Sequence, residues 1–208
     1  MDYRRATSKD LAAVIDLSTA AFYQDPLYTL VKPYCKDEYS YRQFVSISQQ
    51  AFLTFCLEQA ICFVGIQNEQ IVAFAILERP QEEKLHLWQY IKNGGWKLLG
   101  LLSPFKLLAY MNLLEGVMQP CEELGESCWY LAHLAIDPAF QGSGLGSQML
   151  NECLLPFVKD HQPTRLSLVT HKKSNVAFYQ RNGFKLFDHR KLAWENAGLD
   201  NWSLWLEG

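Results

Sequence analysis

The residues able to do chemistry fall in two stretches. The first is Gln141-Gly142-Ser143-Gly144-Leu145-Gly146-Ser147, which follows an apolar run at 130–136 broken at Asp137-Pro138. Proline has no amide to donate and holds its predecessor out of helical geometry, so the run ends there as a strand. Past the glycines, Leu145, Met149, Leu150, Cys153 and Leu154 recur at helical spacing. A glycine turn that hands a strand to a helix exposes unpaired amides at the positive end of the helix dipole. Without Cβ atoms in the way, a phosphate can approach that backbone closely. The stretch is therefore a candidate phosphate cradle, the alternative being a turn and nothing more. It is not a P-loop, because no lysine follows the last glycine, and it lacks the G-x-G-x-x-G spacing of a dinucleotide fold.

The second stretch is 175–184, which holds Asn175, Tyr179 and Gly183-Phe184. Asn175 and Tyr179 stand four residues apart, on one face of a helix. Ser174 is placed to cap that helix and Gly183 to end it. A tyrosine hydroxyl, with a pKa near 10, could serve as a proton donor; the plainer alternative is a core aromatic.

The two motifs, Gln141-x-x-Gly144-x-Gly146 and Asn175-x-x-Phe178-Tyr179-x-x-x-Gly183-Phe184, occur in order at a plausible separation. In both, the chain resembles the GCN5-related N-acetyltransferases. The wording is closest to the puromycin N-acetyltransferase-like branch, which is similar also in the Trp129-x-Leu131 that precedes the glycines. The strong resemblance covers 128–184. It implies an α/β fold with a mixed sheet: a central, mostly antiparallel sheet whose fourth and fifth strands run parallel and splay, with flanking helices. It further implies an acetyl-CoA-dependent N-acetyltransferase that works by direct transfer in a ternary complex, with acetyl-CoA as co-substrate and no metal.

By the same resemblance Leu134, Ala135 and Ile136 on the fourth strand would pair with the pantetheine arm. Residues 141–147 would hold the pyrophosphate, and Asn175 would hold the arm's amides or help cap its helix. Tyr179 would be the general acid. Family relatives often carry a base glutamate in a Leu-Glu-Thr triplet, whereas this chain has Leu168-Val169-Thr170. His133 is therefore the base candidate, the alternative being a core histidine. His171 and Glu78 are weaker candidates, and water alone is a further route. Phe22 and Asp25, in a Phe-x-x-Asp-Pro segment similar to one that lines the acceptor cleft in the family, are substrate-binding candidates.

Composition bounds the rest. With 208 residues, 49% apolar and 20% charged, the chain can bury the core of one α/β domain spanning 1–208, and global disorder is excluded. A formal charge of −3 and a pI near 6.0 argue against a nucleic-acid partner. Lys172, Lys173, Arg181, Lys185, Arg190 and Lys191 cluster near the second motif, as a solvated face or as an attractor of coenzyme phosphates. Six cysteines show neither C-x-x-C nor zinc spacing, as expected of thiols in a reducing cytoplasm. No leader-like or membrane-spanning run is present, so a cytoplasmic location is expected.

The elements that must position these residues read as follows. A short strand at 3–6 precedes a helix capped by Thr7 or Ser8, with Leu11, Val14, Ile15, Ser18 and Phe22 on one face. A longer helix fills 37–58, and strands at 61–66 and 71–77 form a hairpin. A helix at 145–158 ending near Pro156, a strand at 164–170, a helix at 174–182 and a final strand pair at 184–193 and 202–206, joined by a loop at 195–200, complete the chain. Between the third and fourth strands lie about fifty residues, far more than an ordinary loop. This insert, at about 82–118, is rich in Leu, Trp and Phe and is expected to form two or three helices at the acceptor end of the cleft. It would be a lid that brings Trp88 to the substrate and supports a homodimer, or else a structural pad. The acceptor expected is a small-molecule amine. Alternatives are a protein or peptide amine, a catalytically silent coenzyme A sensor, and an interaction protein whose glycine turn is structural.

Overall fold

The structure, a computed structural model, describes residues 1–80, 87–124, 128–162 and 164–207, with the side chains of 87 and 88 left out. Strand β1 (Asp2–Arg5) leads through a 3-10 turn into helix α1 (Leu11–Phe22), the short helix α2 (Pro26–Thr29) and the long helix α3 (Glu38–Gln59). Strands β2 (Ile61–Gln67) and β3 (Gln70–Glu78) form the expected hairpin, turning at Asn68-Glu69 with φ of 49° and 63°. Such left-handed pairs match the strand twist.

The insert forms α4 (Leu87–Lys92), a 3-10 segment (Gly95–Gly100) and α5 (Pro104–Glu122). Strand β4 (Cys128–Ile136) follows, then α6 (Leu145–Gln148), a π-helical stretch (Met149–Leu154), α7 (Leu155–Lys159) and β5 (Arg165–Thr170). Helix α8 (Lys173–Arg181), β6 (Lys185–Trp194) and β7 (Ala197–Leu206) end the chain.

The seven strands make one sheet in the order β1-β2-β3-β4-β5-β7-β6, and β4 with β5 is its parallel pair. One face is covered by the helical body 145–159 and α8: Met149, Leu150, Leu154, Val176 and Tyr179 pack on Ala73, Ala75, Trp129, Leu131, Leu166 and Leu168. The opposite face is covered by α1 and α3 over β2–β4. A third cluster joins α3, the insert and the last hairpin, with Tyr90, Leu98, Tyr110 and Val117 against Tyr41, Phe44, Trp194 and Leu199. The six cysteines are free thiols, and among the described residues no helix is long and apolar enough to cross a membrane.

Three local expectations are corrected. The last strand is not confined to 202–206: β7 starts at Ala197 and pairs with β6 from Trp194↔Ala197 to Lys185↔Trp205. A two-residue turn at Glu195-Asn196, with Glu195 at φ 51°, replaces the loop. Gly198, Leu199 and Asp200 have little strand preference, but Leu199 is 1% exposed, and burying it draws them into the ladder. Pro156 does not end the helix that follows the glycines. The π-helical stretch stops at Leu154, so the proline's missing donor and bulky ring fall where the pitch changes, and the helix continues to Lys159. Ser174 does not cap α8; Lys172 holds that position and Ser174 sits in the first turn.

Candidate functional site

The site begins with a bulge in β4. Ile76 pairs with His133 and Leu77 with Leu131, so Ala132 is an extra residue. A bulge bends its strand and sharpens the twist. Beside this bend, β4 leaves β5: their pairing covers Cys128↔Arg165, Trp129↔Leu166 and Tyr130↔Ser167 and then stops. From Leu168 to Thr170, β5 keeps its partner β7, whereas among the described residues no strand pairs with the edge of β4 that faces β5 from Leu131 to Ile136. The result is a wedge with a free strand edge.

A cleft of about 430 Å³ occupies that wedge. Its walls are Leu134, Ala135 and Ile136 from β4; Gln141, Gly142, Gly144, Leu145, Gly146 and Ser147 from the glycine loop; and Asn175 and Tyr179 from α8. Phe22 and Asp25 line it as well. Residues from three distant parts of the sequence therefore meet here. Ala21, Phe140, Lys172, Phe178 and Arg181 also line it. Lys172 and Arg181 belong to the basic cluster seen in the sequence. Phe178 had a local signal, since it precedes Tyr179, but its role is steric: a Cβ on Gly146 would meet its ring at 3.1 Å.

The glycine loop is shaped as its composition demands. Gly142 and Gly144 have φ of 80° and 87°, a region costly for other residues, and a Cβ built on either would meet no protein atom within 4 Å. Their open sides therefore suit close approach of a ligand to the backbone. Gln141 Nε2 donates to the Ile136 carbonyl at 3.0 Å, which ties the loop to the strand end. Ser143 was expected to bind coenzyme but is not among the lining residues; its hydroxyl donates to the Phe140 carbonyl at 2.5 Å and closes the turn.

On α8, Asn175 Nδ2 donates to Thr170 Oγ1 at 3.1 Å, which joins the helix to the end of β5. Gly183, at φ 91°, ends the helix, and the Phe184 amide donates back to the Tyr179 carbonyl at 3.1 Å. Tyr179 is 8% exposed, and among the described residues its hydroxyl has no hydrogen-bond partner. Burial, and then the Asp25 carboxylate, push this phenol well above its ordinary pKa. It is a protonated hydroxyl facing the cleft.

His133 is placed otherwise. It does not line the cleft; its ring lies 4.2 Å from Phe22, 5.6 Å from Phe52 and 6.3 Å from Phe74. Burial lowers its pKa to about 3, and Nε2 is buried without a partner among the described residues. An imidazole so desolvated is a weak proton acceptor near neutral pH. Trp88 belongs to α4, but its side chain lies outside the described residues. No described residue of the insert lines the cleft, and Phe105 is 86% exposed. The insert instead packs in the cluster that also holds Leu27, Tyr28 and Leu30, behind the loop that carries Asp25.

A parallel wedge with a free strand edge, a glycine-shaped helix start and a hydroxyl thus share one cleft. Residues 110–186 match the family model of the acetyltransferase (GNAT) domain. A histone acetyltransferase HPA2 and related acetyltransferase from Corynebacterium glutamicum superposes with a TM-score of 0.62 at 16% identity, covering 99% of this chain and 96% of that one. The PaiA N-acetyltransferase of Thermoplasma acidophilum, solved with coenzyme A, gives 0.56 at 11% identity, covering 100% and 98%. A tRNA(Met) cytidine acetyltransferase, TmcA of Vibrio cholerae, is 26% identical over 139 residues, 65% of this chain; those residues span 18% of TmcA. Residues 110–186 therefore match an acetyltransferase (GNAT) domain, and the fold of the whole chain is shared with these structures. The matches favour no particular branch.

Proposed function

We propose that the protein transfers the acetyl group of acetyl-CoA to the amine of a small molecule, by direct attack with both substrates bound. The observation that carries this reading is that one cleft is lined by the glycine loop, the splayed end of β4, Tyr179, Phe22 and Asp25 together. The residues fit coenzyme A. Gly142 and Gly144 line the cleft at positive φ, and their open sides leave the loop backbone accessible to a phosphate. Lys172 and Arg181 supply positive charge on the same cleft, and the free edge of β4 offers a peptide-like arm the pairing a β-strand would take. Bound there, acetyl-CoA supplies an activated thioester.

The chain's own contribution is mainly placement, since holding two reactants in line can supply ~7–11 kcal/mol of the barrier. Tyr179 assists where the sulfur gains charge. Its pKa lies far above that of a thiol, so complete transfer to a thiolate runs uphill. The hydroxyl therefore donates a hydrogen bond to the sulfur and gives up its proton only as the product nitrogen returns one.

Calorimetric titration with coenzyme A, followed by thiol release on a panel of small amines, lysine peptides and a cytidine-containing RNA, tests the reading. Coenzyme A binding with turnover confined to small amines is expected. Turnover confined to peptide or RNA would overturn the acceptor class. Binding without turnover on any arm would make the protein a coenzyme A sensor.

A further inference from the structure

We propose that Asp25 is the ligand of the acceptor's ammonium group and that His171, behind it, takes the proton this group loses. The inference rests on the small-amine reading above and deepens it. Asp25 lines the cleft yet is only 6% exposed, a deep position for a carboxylate. One oxygen accepts from the Leu27 amide at 3.0 Å, because Asp25 caps α2. Among the described residues no Lys or Arg forms an ion pair with it. A buried carboxylate without a cation is costly, and a ligand that brings one relieves the cost. Coenzyme A brings phosphates, so the cation must come from the acceptor. The chemistry that fits is an alkyl ammonium, not a neutral exocyclic nitrogen such as that of cytosine.

His171 follows the last residue of β5, where the wedge is open. Its Nδ1 lies 3.4 Å from the Asp200 carbonyl. An Nδ1–H donated to that carbonyl leaves the Nε2 lone pair free to accept a proton. The charged groups around it are Asp25 from the α1–α2 connection, Lys172 next in the chain and Asp200 on β7. The Asp200 carboxylate is engaged by His189 Nε2 at 3.0 Å, which leaves Asp25 as the carboxylate acting on His171. Burial lowers the proton affinity of His171, and Asp25 followed by the Asp200 carbonyl partly restores it. The ring is thus neutral near pH 7, as a base must be, with a negative charge ready to stabilise its protonated form. His133, caged by phenylalanines, has no such partner.

The step balances as follows. The bound ammonium loses one proton, by way of the Asp25 carboxylate, to Nε2 of His171. The freed lone pair forms the C–N bond at the thioester carbonyl and the C–S bond breaks. The second proton of the former amine passes through the Tyr179 hydroxyl to the sulfur. The products are an amide and a thiol, and His171 releases one proton to solvent.

The experiment combines kinetics on the best amine of the panel with calorimetry for coenzyme A and an NMR titration of the imidazoles. Asp25→Asn should raise the acceptor KM at least tenfold with coenzyme A affinity unchanged. His171→Gln should lower kcat at least tenfold with little change in KM, and remove the acidic limb of the pH–rate profile. In the wild type, His171 should titrate below the ~6.5 of a free histidine. Saturating amine, or Asp25→Asn, should move that midpoint lower still. An unchanged acceptor KM in Asp25→Asn, an intact acidic limb in His171→Gln, or a His171 midpoint unmoved by amine would each overturn the proposal. The last measurement needs only wild-type protein. If the wild type binds coenzyme A but acetylates no small amine, the parent reading falls; if it acetylates one and the variants behave as wild type, only the Asp25–His171 assignment falls.

Discussion

The two ends of the cleft are built from different materials. The end proposed for the coenzyme is backbone: the free edge of β4, the amides of the glycine loop and the positive-φ turns at Gly142 and Gly144 lie within residues 131–147. The end proposed for the acceptor is side chain, assembled from Phe22 and Asp25 near the N-terminus and Tyr179 near the C-terminus. Its wall is held from behind by the insert, whose Tyr90, Leu98 and Tyr110 share a buried cluster with Leu27, Tyr28 and Leu30. Backbone recognition is bound to one strand–turn–helix geometry. Side-chain recognition can change with single residues while the fold stays as it is.

The sharpest test of this contrast is Tyr179→Phe, which deletes one side-chain atom from the middle of the cleft. The expected result is a kcat lowered ~10²-fold, about 2.7 kcal/mol, with coenzyme A affinity little changed. Full activity in steady-state kinetics would return Tyr179 to the core. At the backbone end, Gly144→Val places a β-branched residue at φ 87° in a loop that lines the cleft. Coenzyme A binding measured by calorimetry should weaken by well over tenfold, more than ~1.4 kcal/mol. Unchanged affinity in the folded variant would remove the cradle.

His133 tests whether the core beside the acceptor end is separate from the chemistry. Its folded pKa of about 3 lies below the unfolded value of 6.5, so the unfolded state binds the extra proton. The neutral ring costs nothing above pH 6.5, and stability is lost as pH falls from 6.5 toward 3. At pH 5.5 the loss is on the order of 1.4 kcal/mol. Denaturant unfolding of His133→Leu should show that acid slope flattened, and the acidic limb of the pH–rate profile should not move. A shifted limb would make His133 the base after all.

The smallest effect is expected at Phe105→Ala. Phe105 is 86% exposed and lines no part of the cleft, so stability should change by less than ~0.5 kcal/mol and the acceptor KM should hold. A raised KM would make the insert a lid.

The strand, glycine turn and helix start of the cleft were legible in the sequence because their information is local. A proline that stops a strand, glycines that permit positive φ and an apolar period of a helix are contiguous, and each acts through the backbone of its own neighbours. The pair Asn175 and Tyr179 was legible for the same reason, since a four-residue step on a helix fixes a shared face. Other features depended on contacts between distant segments. The bulge at Ala132 turns both Ala132 and His133 toward the α1–α3 side of the sheet, where Phe22, Phe52 and Phe74 enclose the imidazole. Alternation along β4 alone could not place that ring. The extension of β7 back to Ala197 arises from burial of Leu199 beside Trp194, against local preferences for a loop. Asp25 read in the sequence as the end of a helix. Only the tertiary packing buries it in the wall that also holds Tyr179, and the electrostatic value of a charge is set by the surfaces that exclude water from it.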